Sequence, residues 1–440
     1  MKIISLITIM MIGFFMNSIY AQTWSLTQCI DTAMVNNKKL KISQNDRRIS
    51  EQKRKEVKSN LLPKITANGD YKYYTDLPTQ LMPLSVFGGP EGQFREAQFG
   101  VPHNINANLM LNMPLYNPEL YGGIKATKVA FQLTELQYQK AEEEVYFDVT
   151  NLYYNAQIIQ SQIAFVDSNI INSKQLLKNV TLLNEQLLAK KTDVDKVALQ
   201  VKQIETKKSL LESKYAQVVN GLKLLMDVSL DLEINVENKI VQSNSLAYSS
   251  KTSLDIQLID AKYSLLSSEL QTLKRSRFLP SAYLYGSYGT MGYGYDEKPN
   301  DFLKFYTIGF AGVKVTYPLF NGTVTNKKIN QKKIELENND LRKSLVTDQT
   351  DMQTRNAHLQ RSVAKQTINE SELQVELANN IYEQTLLQQK EDVANLTDVL
   401  MADNSLREAQ QNYITAIIDY LKADLELKKI TGNITTSSTK

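Results

Sequence analysis

Every proline and most glycines of this chain fall in two short windows, and that distribution limits what it can fold into. The ten prolines are Pro63, Pro78, Pro83, Pro90, Pro102, Pro114 and Pro118, then Pro280, Pro299 and Pro318. Fourteen of the 17 glycines lie in 60–123 or 280–322, and Gly221 is the only one between 124 and 285. Proline breaks a helix and glycine weakens it. The chain therefore reads as long helices interrupted by two non-helical segments, whereas an ordinary α/β protein spreads its breakers over many loops. Between the windows, Val145, Val149, Leu152, Ala156, Ile159, Ile163, Val166 and Ile170 recur at alternating spacings of four and three. That is a coiled-coil seam. After Gly322 the seam is weaker. Leu359, Val363, Leu373, Leu377 and Leu387 hold it, and Gln366, Glu370, Asn380 and Gln384 interrupt it, as in a helix that lines a watery space or faces solvent on most sides.

The two windows read as β-hairpins. Ile65, Ala67, Tyr71 and Tyr73 alternate with Lys64, Thr66, Asn68, Asp70 and Lys72. Ile105, Leu109, Leu111 and Met113 alternate with Asn104, Asn106, Asn108 and Asn112. Period-two alternation gives a strand one apolar and one polar face. Strands of about ten residues suit a tilted crossing of a bilayer. The second window repeats this less cleanly. Leu284 and Tyr288 hold the apolar face of one strand, Val313 and Val315 that of the other, and a change of phase beside Gly312 predicts a bulge. These twelve apolar residues are the expected lipid-facing set. Strands are expected at about 64–75, 103–116, 281–291 and 306–320, with an outward loop over 76–101. Twelve of the 23 tyrosines lie in the two windows, as at membrane interfaces.

The same order of elements occurs twice. Leu61-Leu62-Pro63 returns as Phe278-Leu279-Pro280, Pro114-Leu115-Tyr116 as Pro318-Leu319-Phe320, and Thr192-Asp193-Val194 as Thr397-Asp398-Val399. The first repeat is expected over 22–231 with a helical arm at about 120–226. A linker at 232–249 leads to a second repeat over 250–432, with an arm at about 323–430 and a tail at 433–440. The first long helix would be roughly 100 Å long. Lys2, the apolar run Ile3–Phe15 and the small Ala21 form a cleavable export signal over 1–21. No later apolar run is long enough for a helical membrane span.

Composition narrows the function. With 50 basic and 47 acidic residues, the chain lacks the concentrated basic excess of a nucleic-acid binder. Two histidines, His103 and His358, and one cysteine, Cys29, leave no zinc cluster and no internal disulfide. No phosphate-cradling glycine loop is present. No nucleophile–base pair can be named, so neither enzyme, metal nor cofactor is expected. His103 and His358 read as surface or loop residues, Cys29 as a small buried residue, and Trp24 as packing for the N-terminal segment.

Four membrane strands cannot close a barrel, and lipid does not tolerate open strand edges. Closed barrels start at about eight strands, so copies must share one, and three copies would supply twelve. The physical reading is an oligomeric duct. A structural coiled-coil tether between envelope layers is the alternative; it accounts for the heptads but not for the two hairpins at matched positions.

The sequence resembles the TolC-type outer-membrane efflux protein family. The resemblance is carried by Trp24-Ser25-Leu26-Thr27 leading to Ala33 and Asn36-Asn37, by Leu61-Leu62-Pro63, Pro114-Leu115-Tyr116 and Thr192-Asp193-Val194-Asp195, and by Pro318-Leu319-Phe320 and Thr397-Asp398-Val399-Leu400, over about 24–432. It implies a mainly α chain with a small membrane β part, four strands per protomer in a shared twelve-stranded barrel, and a periplasmic α-helical barrel closed by coiled-coil tips. It further implies a homotrimer in the outer membrane of a Gram-negative bacterium, in contact with outer-membrane lipid. Such a duct exports small molecules or proteins as the exit of a tripartite efflux or type I secretion system. Its partners are a periplasmic adaptor (membrane fusion) protein and an inner-membrane pump or ABC transporter.

Relatives often carry an acidic ring at the periplasmic aperture. Asp398 matches its first acid, Met401 stands where the second would be, and Asp403 lies nearby without a direct match. Asp193 matches an acid that ties neighbouring coils together, but its usual tyrosine and arginine partners map to Gln389 and Ala394, and the tip glycines to Leu187 and Asp392. Carboxylates around a narrow axis attract cations. Asp193 and Asp398 read equally as caps of the returning helices.

Overall fold

The computed structural model describes residues 22–237, 248, 252–296, 298, 301–391 and 393–434. The expected export signal, most of the expected linker, Asp392 and the end of the tail lie outside the described residues. No described helix is long and apolar enough to cross a membrane.

The chain starts with strand β1 (Gln22–Trp24) and helices α1 (Leu26–Asn36) and α2 (Lys38–Ser59). Ser25 and Gln28 form a reciprocal capping box at the start of α1, which explains the Trp-Ser-Leu-Thr signature. Asn37 separates the two helices. Its side-chain oxygen accepts from the Lys39 amide at 2.8 Å, and its Nδ2 donates to the Leu225 carbonyl at 2.7 Å. The first hairpin is β2 (Lys64–Tyr73) and β5 (His103–Tyr116), with a smaller hairpin of β3 (Thr79–Pro83) and β4 (Phe94–Gln98) built into the expected loop. Then come α3 (Pro118–Glu185), α4 (Lys191–Met226) and β6 (Ile234–Val236). The second repeat supplies α5 (Leu254–Ser276), β7 (Ser281–Tyr295), β8 (Phe302–Thr316), α6 (Val324–Lys390) and α7 (Leu396–Ile430). The order helix, hairpin, long helix, turn, returning helix thus occurs twice. The last hairpin differs in extent from its expectation: β7 runs on to Tyr295, and β8 starts at Phe302 and stops at Thr316.

Compactness does not follow the repeats. One unit takes its described residues from Met1–Arg47, Glu135–Ile259 and Arg342–Lys440, and the other from Arg48–Thr134 and Asp260–Leu341. Each draws on both repeats, because sequence duplication and packing divide the chain along different lines.

In the first unit, Cys29, Ala33, Val145, Val149, Tyr153, Leu222 and Met226 form one core with Ile234 and Val236. Strand β6 lies parallel to β1 there, a pairing with no sequence signal beyond three residues on each side. Tyr153 fastens it: its hydroxyl donates to the Trp24 carbonyl at 2.9 Å and accepts from the Glu237 amide at 3.3 Å. A second core joins the two helical hairpins through Leu176, Val180, Val194 and Val197 against Ala378, Tyr382, Val399 and Ala402. The expected seam of α3 holds, since all eight of its residues are buried or half-buried.

The seam of α6 is not the one expected. Leu359, Val363, Leu373, Leu377 and Leu387 are each more than half exposed, while Ala357, Ala364, Ile368, Ser371, Ala378 and Tyr382 are buried. The buried line keeps the heptad spacing but uses mostly small side chains, which let helices approach closely. A search for large apolar residues passes over it.

The second unit holds the four-stranded sheet, in the order β2-β5-β7-β8 with every neighbour antiparallel. The register runs unbroken past Gly312, so the bulge predicted there is absent. The irregularity lies instead between Pro114 and Tyr116 opposite β7. The glycines of β7 and β8 receive aromatic rings from the opposite strand. A Cβ on Gly309 would lie 2.9 Å from the Tyr288 ring, and one on Gly292 would lie 2.6 Å from the Phe305 ring. Cross-strand rings over glycine restore packing that glycine alone does not provide.

Tyr153→Phe leaves a carbonyl and an amide without a partner, at a cost of about 1–3 kcal/mol. Faster amide hydrogen exchange in Gln22–Trp24 and Ile234–Val236, with the rest of the chain unchanged, is the expected outcome by mass spectrometry.

Candidate functional site

Partners in an antiparallel register share a face, so the pairing assigns every strand residue to a side. Ile65 faces Leu111, Ala67 faces Leu109, Tyr71 faces Ile105, and Tyr73 faces His103. On the other side of β5, Leu109 faces Tyr288 and Met113 faces Leu284. Leu284 in turn faces Val313, and Ala282 faces Val315. All twelve residues expected to face lipid therefore lie on one side of one sheet. The parity on β7 and β8 also explains the change of phase read from the sequence: Ile308 and Phe310 belong to the opposite face. Seven of the twelve, among them Ile65, Leu109, Tyr288 and Val315, are more than half exposed, a larger apolar surface than a water-facing sheet carries.

The opposite face is polar across the first hairpin. Asn68 Nδ2 donates to Asn108 Oδ1 at 3.1 Å, Asn106 Nδ2 donates to Asp70 Oδ1 at 3.1 Å, and Lys72 lies 3.7 Å from Asp70. Across the second hairpin this face is mixed. Ser287, Lys304 and Lys314 share it with Tyr285, Met291, Tyr306 and Phe310. The outermost strands, β2 and β8, each pair on one side only among the described residues.

The tip candidates divide three ways. Asp193 and Asp398 hold the same third position in the first turns of α4 and α7. Asp398 belongs to a capping box: Asn395 Oδ1 accepts from the Asp398 amide at 3.1 Å, and Asp398 Oδ2 accepts from the Asn395 amide at 2.9 Å. Its side chain remains exposed. The cap residue itself is Asn395, which sequence reasoning missed although its signal is local, a polar residue three positions before an acid. Asp193 caps nothing, since the cap position is Lys190, with no side-chain bond. Its carboxylate lies 3.6 Å from Lys196 on the same helix and complements the helix N-terminus. Asp403 is not an aperture group. It is buried at 4% exposure, accepts from Gln200 Nε2 at 2.5 Å and forms an ion pair with Arg407. Its carboxylate is consumed inside the coil packing.

Leu187, just past the end of α3, has φ 64, where a glycine would be unstrained. Its amide donates to the Asn184 carbonyl and the Leu188 amide to the Leu183 carbonyl, so the turn closes despite the side chain. One charged cluster has no signal in the sequence. Asp424, buried, accepts from Arg361 Nε at 2.7 Å and from the Tyr248 hydroxyl at 2.8 Å, and Lys428 Nζ lies 3.1 Å away. It clasps a residue of the expected linker onto α6 and α7. Cys29 is fully buried, and burial, with Glu237 adding, pushes its thiol up to about 12, which leaves it inert.

Comparison with known proteins places this fold beside known channels. Residues 257–433 match the outer membrane efflux protein family. The resemblance read from the sequence stands on that match, as does the outer-membrane location. Solved structures share the fold. The outer membrane protein VceC of Vibrio cholerae aligns with TM-score 0.71 at 13% identity, over 92% of this chain and 96% of its own. The CmeC outer membrane channel of Campylobacter jejuni gives 0.72 at 15% identity, over 94% and 87%. The open state of the Neisseria gonorrhoeae MtrE channel gives 0.68 at 15% identity, over 92% and 88%. No curated protein matches the sequence at a significant level. The matched family is one of channels rather than enzymes.

Asp403→Ala strands the Arg407 charge inside the coil, so a destabilisation of about 3 kcal/mol or more is expected. Asn395→Ala removes only a cap, worth about 1 kcal/mol. Thermal unfolding followed by circular dichroism should rank the two in that order.

Proposed function

We propose that three copies of this chain form an outer-membrane export duct. The observation that carries the reading is the sheet: one mostly apolar face, one face polar over half its width, and on each side an edge unpaired among the described residues. Strands β2 and β8 run in opposite directions, so β8 of one copy can pair antiparallel with β2 of the next, and the sequence closes head to tail. Four strands from each of three copies give a twelve-stranded barrel, with the Ile65–Val315 face toward lipid and the Asn68–Asn108 face toward water. The exposed leucines of α6, from Leu359 to Leu387, supply a second surface for contacts between copies.

In this reading the protein is the exit duct of a tripartite efflux or type I secretion system. It receives cargo through a periplasmic adaptor from an inner-membrane pump or ABC transporter. Asp398 is the aperture carboxylate, since it is exposed at the start of a returning helix while Asp403 is buried. Asp193 sits at the equivalent place in the first repeat and sets charge at the same level. The match of residues 257–433 to an efflux family and the channel fold support the role.

Planar-bilayer recordings of the purified chain test it. Stable conducting units with cation preference are expected, and Asp398→Ala should lower that preference while Asp403→Asn should not. Absence of conductance from inserted oligomers would favour a structural tether instead.

A further inference from the structure

Where the sheet meets helices α3 and α5, one from each repeat, the second unit holds a pocket of about 330 Å³. Its lining includes Tyr116, Tyr121, Lys125, Ser268, Arg275 and Leu279, with no aspartate or glutamate anywhere in it. Lys125 and Arg275 are exposed and form no ion pair among the described residues. Ser268 is 6% exposed, and its hydroxyl has no hydrogen-bond partner among the described residues. A buried hydroxyl without a partner costs free energy that a ligand oxygen would restore. The pocket exists because α3 and α5 cross at Gly122, where a Cβ would lie 2.1 Å from the Thr272 side chain.

The position of the pocket says what enters it. The irregularity at Pro114–Tyr116 brings Tyr116 opposite Ala282, on the same face as Leu284 and Val313. Tyr116 therefore ends the apolar face, its ring paired with Tyr121 at 5.9 Å. Along that face, apolar residues give way to two tyrosines and then to two cations. This is the order in which a bilayer passes from acyl chains through the interface to phosphates.

We propose that this pocket binds the phosphate of an anionic phospholipid in the periplasmic leaflet of the outer membrane. Lys125 and Arg275 pair with the phosphate, Ser268 donates to one of its oxygens, and an acyl chain runs along Tyr116 toward the apolar face. The inference rests on the outer-membrane duct reading. A related pocket of about 320 Å³ lies between the end of β8 and the start of α6, where Arg277 sits among Phe278, Tyr317, Leu319 and Phe320. Leu319 and Phe320 are 90% and 84% exposed there, consistent with the same lipid depth.

The test uses the full chain in detergent, washed free of lipid and offered equal amounts of phosphatidylglycerol and phosphatidylcholine, with bound lipid read by native mass spectrometry. Wild type should retain phosphatidylglycerol in about tenfold preference, and the pair Lys125→Gln and Arg275→Gln should bring the two lipids to parity. Ser268→Ala, which keeps both charges, should lower retention by a smaller factor. Insertion into vesicles is measured in parallel. Variants that insert normally yet keep the full preference overturn the proposal, as does complete displacement of the lipid by inorganic phosphate. A wild-type chain that fails to enter vesicles at all defeats the duct reading instead, so the two failures are told apart.

Discussion

An unpaired strand edge cannot be left bare in hydrocarbon, because each free amide and carbonyl there costs several kcal/mol with no water to satisfy it. The rest of this structure follows from that constraint. The sheet has four strands and two open edges, while its apolar face is too large and too exposed for water. A chain built this way is incomplete alone. Its strand directions alternate so that a second copy continues the sheet in the same sense as its own hairpins do. Closure by identical copies leaves every edge paired and needs no special edge residues, and β2 and β8 accordingly carry no proline between their ends.

The helices show the same incompleteness in another form. Along its seam α6 packs mostly through alanine and serine, with Ile368 and Tyr382, and leaves Leu359, Leu373, Leu377 and Leu387 exposed. Small residues bring helices close and make the coil thin. Those large leucines stay exposed on the other side of α6. The buried polar groups act differently. Asp403 with Gln200 and Arg407, and Asp424 with Arg361, Lys428 and Tyr248, fix which helix faces meet. Removal of one partner from such a set leaves a charge buried alone.

Much of this is legible from residue spacing. The breaker windows dictate the element order, and simple alternation places all twelve apolar strand residues on one face, because a period of two leaves only two sides to choose between. What spacing does not reveal depends on partners distant in sequence. Strand β8 read without β7 suggests a bulge at Gly312; once the two are paired, its two apolar sets are simply two faces. Residue size is a poor guide to the seam of α6, where the small residues are buried and the large ones exposed. Asp403 resembles an aperture acid only while Gln200, in the other repeat, is out of view. The parallel pairing of Gln22–Trp24 with Ile234–Val236 has too few residues to leave a pattern. Asn395 is within reach of the sequence, since a capping box is local.

Completion of the sheet by copies of the same chain is the central claim. The direct measurement is the mass of the purified protein in detergent, by sedimentation with the micelle contribution matched out. Three chains per particle, resistant to dilution, is the expected result. A stable single chain that keeps its hairpins folded in detergent and in vesicles would contradict it, because the edges of β2 and β8 would then be satisfied some other way.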